Sequence, residues 1–299
     1  MKRFLIDICL GLIIFGITWI LTEYTMAHVD IQNDYSYKYN YVKANSAIKT
    51  LLIGHSHFEN SINPYLMGDS VFDFAISGRW IYWDALLAQD IFPTMPNLRV
   101  VIIPLGYHHI YASWHYNGLR DIDEEYAYMY SKYMHKYYDR FPECIYFCSA
   151  LYCNKMGIKY WQNEQVDSLG YSKIIGQERD WKNIHNVPSD MLTKKYVNES
   201  YSEYRLYLIQ IAQACYKNNI RFIAVTCPCA NCYIENTCEE GINNLYALID
   251  SVRVHYPIEY KNYLDDADFR ADSLYYNCSH LNSKGADKFA IRVKEDFGL

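Results

Sequence analysis

Leu51-Leu52-Ile53-Gly54-His55-Ser56-His57-Phe58-Glu59-Asn60-Ser61-Ile62-Asn63-Pro64 is the stretch on which the reading of the chain turns. Residues 48–53 form an apolar run of the kind found in parallel strands covered on both faces. The run ends in glycine and then a serine between two histidines, where a strand should turn into a helix. Such a turn lifts Ser56 out of the sheet at its carboxyl edge, in the crevice where open α/β sheets bind ligands. The first N–H groups of the following helix can hold an anion at the same place. Ser56 is therefore a candidate nucleophile, and the plainer alternative is a serine that only caps the helix.

Outward from this turn, strand-like runs recur at 71–76, 99–105, 221–226 and near 258–264. Helical spacing separates them: a segment from Trp83 to Asp90, then Tyr204, Tyr207, Leu208, Ile211 and Cys215, then Ile242, Leu245, Ile249 and Val252. Strand and helix in alternation require right-handed crossovers and a mostly parallel sheet, hence one three-layer α/β/α domain over residues 48–299. Residues 111–200 interrupt the pattern. Tyr126, Tyr130, Tyr133 and Tyr137 repeat at helical spacing, and a polar stretch with Gly170 and Gly176 lies between Trp161 and Trp181. This insertion is expected to run over the sheet edge, either as an extra packing layer or as a lid and substrate wall.

At the start of the chain, Lys2 and Arg3 precede an apolar run from Phe4 to Thr22 broken only by Asp7. As a helix this run spans about 28 Å, close to the thickness of a bilayer's hydrocarbon. Residues 1–24 read as a membrane anchor and 25–47 as a tyrosine-rich stalk. The charge bias predicts a single pass through a bacterial cytoplasmic membrane, with the domain on the outer side. A cleaved signal peptide is the alternative, since Thr25-Met26-Ala27 offers small residues for cleavage.

Composition narrows the classes. With 51% hydrophobic and 21% charged residues, the 299-residue chain is globular rather than disordered. A net charge of −6 without a Lys/Arg cluster argues against nucleic acid as a partner. The 32 tyrosines suit sugar stacking, but equally cores and turns. Of the ten cysteines, Cys9 falls in the anchor. Cys227-Pro228-Cys229-Ala230-Asn231-Cys232, with Cys238 beyond, lacks the paired knuckles of a usual zinc site, so disulfides or buried thiols are expected there.

The far end holds Asn277-Cys278-Ser279-His280-Leu281-Asn282-Ser283-Lys284-Gly285-Ala286 before an amphipathic helix with apolar Ala286, Phe289, Ala290, Val293 and Phe297. Gly54-His55-Ser56 after the first strand, Ile76-Ser77-Gly78 after the second, and His280-Leu281-Asn282 with Gly285-Ala286 before the last helix together resemble the SGNH (GDSL-type) hydrolase family. The resemblance implies a flavodoxin-like sheet of about five strands, Ser56 as nucleophile and His280 as base. It also implies an oxyanion site made of the Ser56 and Gly78 N–H groups. Two positions depart from the family pattern. Asn277 stands where an aspartate is expected three residues before the histidine. After the third strand, Pro104-Leu105-Gly106-Tyr107-His108-His109 replaces an expected asparagine donor, a role left to Tyr107 or His108. Such departures resemble remote membrane-anchored branches that include proteins of D-alanyl or acyl transfer to envelope polymers.

The expected activity is that of a serine esterase or acyltransferase acting on acyl groups of envelope or extracellular polysaccharide, with Ser56, His280 and Asn277 as catalytic residues and no cofactor. An acylated glycan or small ester, the membrane, and a membrane partner protein are the expected partners. The rival reading is a catalytically inactive envelope module that binds glycan or a membrane protein. His55, His57, His108 and His109 also permit a metal reading, with Glu59 the only nearby carboxylate; it would displace the serine mechanism, and the site adopted here has no metal.

Overall fold

Leu51, Val101, Ile103, Phe222 and Ala224 alternate along their strands with Leu52, Ile102, Ile223 and Val225, and both sets are buried. A strand flanked by helices on both faces needs apolar side chains at every position, which explains the continuous runs. In the computed structural model, which describes residues 2–28, 34–106, 109–111, 166–172 and 198–299, these runs form five parallel strands. They are β1 (Thr50–Leu52), β2 (Val71–Asp73), β3 (Val100–Pro104), β4 (Arg221–Thr226) and β5 (Glu259–Asn262), in the order β2-β1-β3-β4-β5. Leu51 pairs with Phe72 on one side and Val101 on the other, and Val101 continues to Phe222. This is the flavodoxin-like order, whose switch point lies between β1 and β3.

The helices are α1 (Lys2–His28), α2 (Asp34–Ala44), α3 (Ser56–Glu59), α4 (Ile81–Ile91), α5 (Asn198–Lys217), α6 (Asn231–Ile234), α7 (Glu239–Arg253) and α8 (Ser283–Phe297). One face of the sheet is covered by side chains of α2, α4, α5 and α7, among them Tyr39, Trp83, Ile211 and Leu248. The other face is covered by α8 through Phe289, Ala290 and Val293, joined by Phe58 and Ile62. Each fully buried Ile, Leu, Val or Phe among them contributes about 1.5–3 kcal/mol.

Residues 34–44 correct the reading of 25–47 as a stalk. They form α2, which places Tyr35, Tyr39 and Val42 in the first core and buries Lys38 completely. Tyr35, Tyr39 and Val42 lie on one helical face, so a segment with few aliphatic residues still supplies an apolar stripe. In α1, Lys2–Thr22 has a mean hydropathy of 2.5 and is long and apolar enough to cross a membrane, with none of it buried against the rest of the chain.

Of the insertion expected at 111–200, only residue 111, residues 166–172 and the start of α5 are described. Residues 166–172 lie against the edge strand β2, where the Asp73 N–H donates to the Leu169 carbonyl at 2.8 Å. Gly170 sits there with φ +81, and a Cβ would meet the Asp73 carbonyl oxygen at 2.0 Å. Tyr107, His108, Tyr126, Tyr130, Tyr133, Tyr137, Trp161, Gly176 and Trp181 lie outside the described residues.

Candidate active site

The turn after β1 is shaped by Gly54. Its φ is +113, and a Cβ there would lie 2.5 Å from Cδ of Pro104 in the adjacent β3. Any side chain would therefore both strain the backbone and strike the neighbouring strand. The Gly54 N–H donates to Oδ1 of Asp84 on α4 at 3.1 Å. Two residues on, Ser56 is the first residue of α3 and is half-buried.

His280 approaches from the opposite side of the crevice. Its Nε2 is 2.9 Å from Ser56 Oγ, within direct hydrogen-bond reach although 224 residues separate the two. Its Nδ1 is 3.1 Å from Asn277 Oδ1. The same Oδ1 accepts the backbone N–H groups of Ser279 at 3.0 Å and His280 at 2.9 Å, so the oxygen end of the amide must face the ring. An oxygen there favours a proton on Nδ1, which leaves the Nε2 lone pair toward Ser56. Ser279 Oγ also lies 3.1 Å from Nδ1. Desolvation lowers the His280 pKa from 6.5 to about 4, so the ring is neutral at neutral pH.

The motif around His280 is built for position. Leu281 is fully buried in the second core, and Asn282 caps α8 by accepting the Gly285 N–H at 3.1 Å. The Asn282 amide also donates to the carbonyls of Ser273 at 2.9 Å and Tyr275 at 3.2 Å. A disulfide joins Cys278 to Cys232 in α6, fastening this loop to the segment after β4. Cys227 and Cys229 are buried free thiols, with pKa values raised by desolvation. The cysteine run thus holds one disulfide partner and two thiols, not a cysteine zinc knuckle.

Gly78, in the loop after β2, has φ +76. Among the described residues, neither the Ser56 nor the Gly78 backbone N–H donates to a backbone acceptor. Sequence reasoning passed over the groups that set this loop. Glu59, on α3 with Ser56, accepts the Ser77 N–H at 2.7 Å and the Ser77 hydroxyl. Glu59 is itself paired with Lys38 of α2 at 3.5 Å, both almost completely buried. Lys38 Nζ also donates to the Ala75 carbonyl. Arg79, one residue past Gly78, pairs with Asp84 at 2.6 Å, so one carboxylate holds both the Gly54 turn and the Gly78 loop. Burial raises the Asp84 pKa to about 6 against the opposing pull of Arg79. The only available signal for this network was Glu59 one helical turn beyond Ser56; charged residues in an apolar core have no periodicity of their own.

At the end of β3, the position of the expected third donor lies outside the described residues, but His109 is placed. Its ring lies against that of His55 with centroids 3.6 Å apart and planes tilted by 34°, and His57 stands edge-on to both at 5.1 Å. One ligand atom from each of His55, His57 and His109 can lie within 4.8 Å of the other two, so these are the described residues able to hold a metal ion.

No protein-family model and no curated protein matches the chain. Solved structures with a similar fold include a GDSL-like lipase from Bacteroides thetaiotaomicron, at 10% identity and a TM-score of 0.42, over 87% of this chain and 98% of that one. An acetyl xylan esterase, AlAXEase, is similar at 13% identity and a TM-score of 0.43, over 83% of this chain and 99% of that one.

Proposed function

We propose that the chain is a serine esterase or acyltransferase of the SGNH type. The observation that carries this reading is the relay from Ser56 Oγ through His280 Nε2 and Nδ1 to Asn277 Oδ1, at 2.9 and 3.1 Å. Ser56 Oγ attacks the acyl carbonyl carbon while its proton passes to Nε2 of His280. The resulting oxyanion faces the N–H groups of Ser56 and Gly78. Collapse expels the alcohol, which takes the proton back from His280 and leaves an acyl group on Ser56. Water or a sugar hydroxyl then resolves this ester by the same steps in reverse. Asn277 fixes the ring and its tautomer but lends no charge to the imidazolium, so the base is weaker than one backed by a carboxylate.

The apolar α1 and the Cys232–Cys278 disulfide support an anchored protein whose domain faces an oxidising space outside a bacterial cytoplasmic membrane. Acylated envelope or extracellular polysaccharide is the substrate class such a location offers. Labelling of the full chain with a fluorophosphonate tests the chemistry. The native protein is expected to label, and Ser56→Ala and His280→Ala to lose labelling by at least ~10³-fold. A native protein that neither labels nor releases acetate from aryl acetates rejects the enzyme reading in favour of a glycan- or partner-binding envelope module.

A further inference from the structure

His55 and His57 flank the nucleophile, yet neither ring takes part in the Ser56–His280–Asn277 relay. Both are buried, with 8% and 5% of their surface exposed, and His109 joins them from the turn after β3. We infer that His55, His57 and His109 form a zinc-binding site beside the serine site, with the His57 ring 4.7 Å from that of His280. The ring packing brings three potential ligand atoms within 4.8 Å of one another, from two turns that adjoin at the switch point of the sheet.

The donor set selects the ion. Three imidazoles without a carboxylate disfavour magnesium and calcium, which require oxygen ligands. The one nearby carboxylate, Glu59, is bonded to Ser77 and paired with Lys38. Zinc takes nitrogen ligands at about 2.0–2.1 Å in a tetrahedron, commonly three histidines and one further position. Ligand atoms of a tetrahedral zinc stand about 3.3 Å apart, so the three nitrogens would have to draw together from their present separation of up to 4.8 Å. The three histidines line a pocket together with Thr226, Cys227 and Cys229. Cys227 Sγ lies 3.6 Å from the His57 carbonyl oxygen, so a thiol stands close to the cluster. An ion here would tie the turn carrying Ser56 to the end of β3 without using Ser56 itself.

The test uses the full chain in mild detergent, stripped with a chelator and titrated with Zn²⁺ by calorimetry, with bound metal counted after dialysis. One Zn²⁺ per chain is expected for the native protein and equally for Ser56→Ala, which separates this site from the esterase reading. His55→Ala and His109→Ala are each expected to lose more than the ~10–100-fold in affinity that a missing supporting contact costs. Substoichiometric binding by the native protein, or unchanged affinity in both histidine variants, overturns the proposal. Loss in Cys227→Ser and Cys229→Ser with retention in the histidine variants overturns it too, because the thiols alone would then be the ligands. Should the histidine variants fail to fold, X-ray absorption at the zinc edge of the native protein decides. Three imidazole nitrogens in the first shell uphold the site, and a shell dominated by sulfur or oxygen rejects it.

Discussion

Ser56 and His280 meet across one 2.9 Å contact, yet the two sides of the crevice are fastened by different chemistry. The serine side is held by buried charge: Lys38 with Glu59, and Arg79 with Asp84. The histidine side is held by a disulfide, a capped helix and an amide oxygen that accepts three N–H groups. The difference extends to pH. Burial raises the Asp73 and Asp84 pKa values from 3.8 to about 7 and about 6. Their contribution to folding is therefore full below the unfolded value and is lost as pH rises through 6–7. For His280, lowered from 6.5 to about 4, the sign reverses: its contribution is full above 6.5 and is lost as pH falls through about 4. One side is sensitive to charge and the other to redox state, so each can be broken separately.

The largest expected effect comes from breaking the serine side at Lys38. Replacing it with methionine leaves the Glu59 carboxylate buried without its cation, which typically costs about 3–5 kcal/mol. Urea unfolding of Lys38→Met should show a loss of that size, and labelling at Ser56 should fall because Glu59 no longer holds the Ser77 loop in place. Adding Glu59→Gln removes the stranded charge and should restore part of the stability. A loss under about 1 kcal/mol in the single variant would mean that the pair does not anchor this side.

Breaking the histidine side should cost somewhat less. Cys232 and Cys278 are 46 residues apart, and opening a loop of that length removes about 2–4 kcal/mol. Cys232→Ser, Cys278→Ser and the double variant should all melt alike, since either change opens the same link. Labelling should also slow, because Cys278 lies two residues from His280. Unequal single variants, or a double variant worse than both, would show that the thiols act separately and would remove the disulfide from the comparison.

The two sides also differed in how far the sequence revealed them. β4 was readable to the residue, because its apolar run is bounded by Asn218-Asn219 and by Cys227-Pro228. β1 and β2 came out shorter than their apolar runs, as the chain turns toward the site before the hydrophobic pattern ends. β5, Glu-Tyr-Lys-Asn, was visible only by position, because a partly exposed edge strand need not be apolar. Ser56, Gly78, Asn277 and His280 carried motif context and could be named in advance. Lys38 could not, since a lysine within a tyrosine-rich polar segment reads as solvated until the helix around it is seen to pack. The Cys232–Cys278 pairing was equally hidden, because spacing does not choose among several cysteines.

The smallest expected effect sharpens the comparison instead of breaking it. Asn277 already orients His280, so Asn277→Asp keeps the geometry and adds one negative charge. A charge-assisted hydrogen bond is about twice as strong as a neutral one. Stabilising the imidazolium by about 1.4 kcal/mol in the transition state would raise the labelling rate about tenfold. The same charge raises the His280 pKa, because an opposite charge favours the protonated ring. In chelator-treated native protein, labelling should be lost only as pH falls through about 4, where the ring protonates. In Asn277→Asp that acid limb should move to higher pH while the plateau rises. A faster plateau with an unmoved limb would place the titrating group elsewhere. A slower plateau with intact folding would mean that the loop around Oδ1, with its two backbone N–H donors, is tuned to an amide and does not accept the carboxylate as its equivalent.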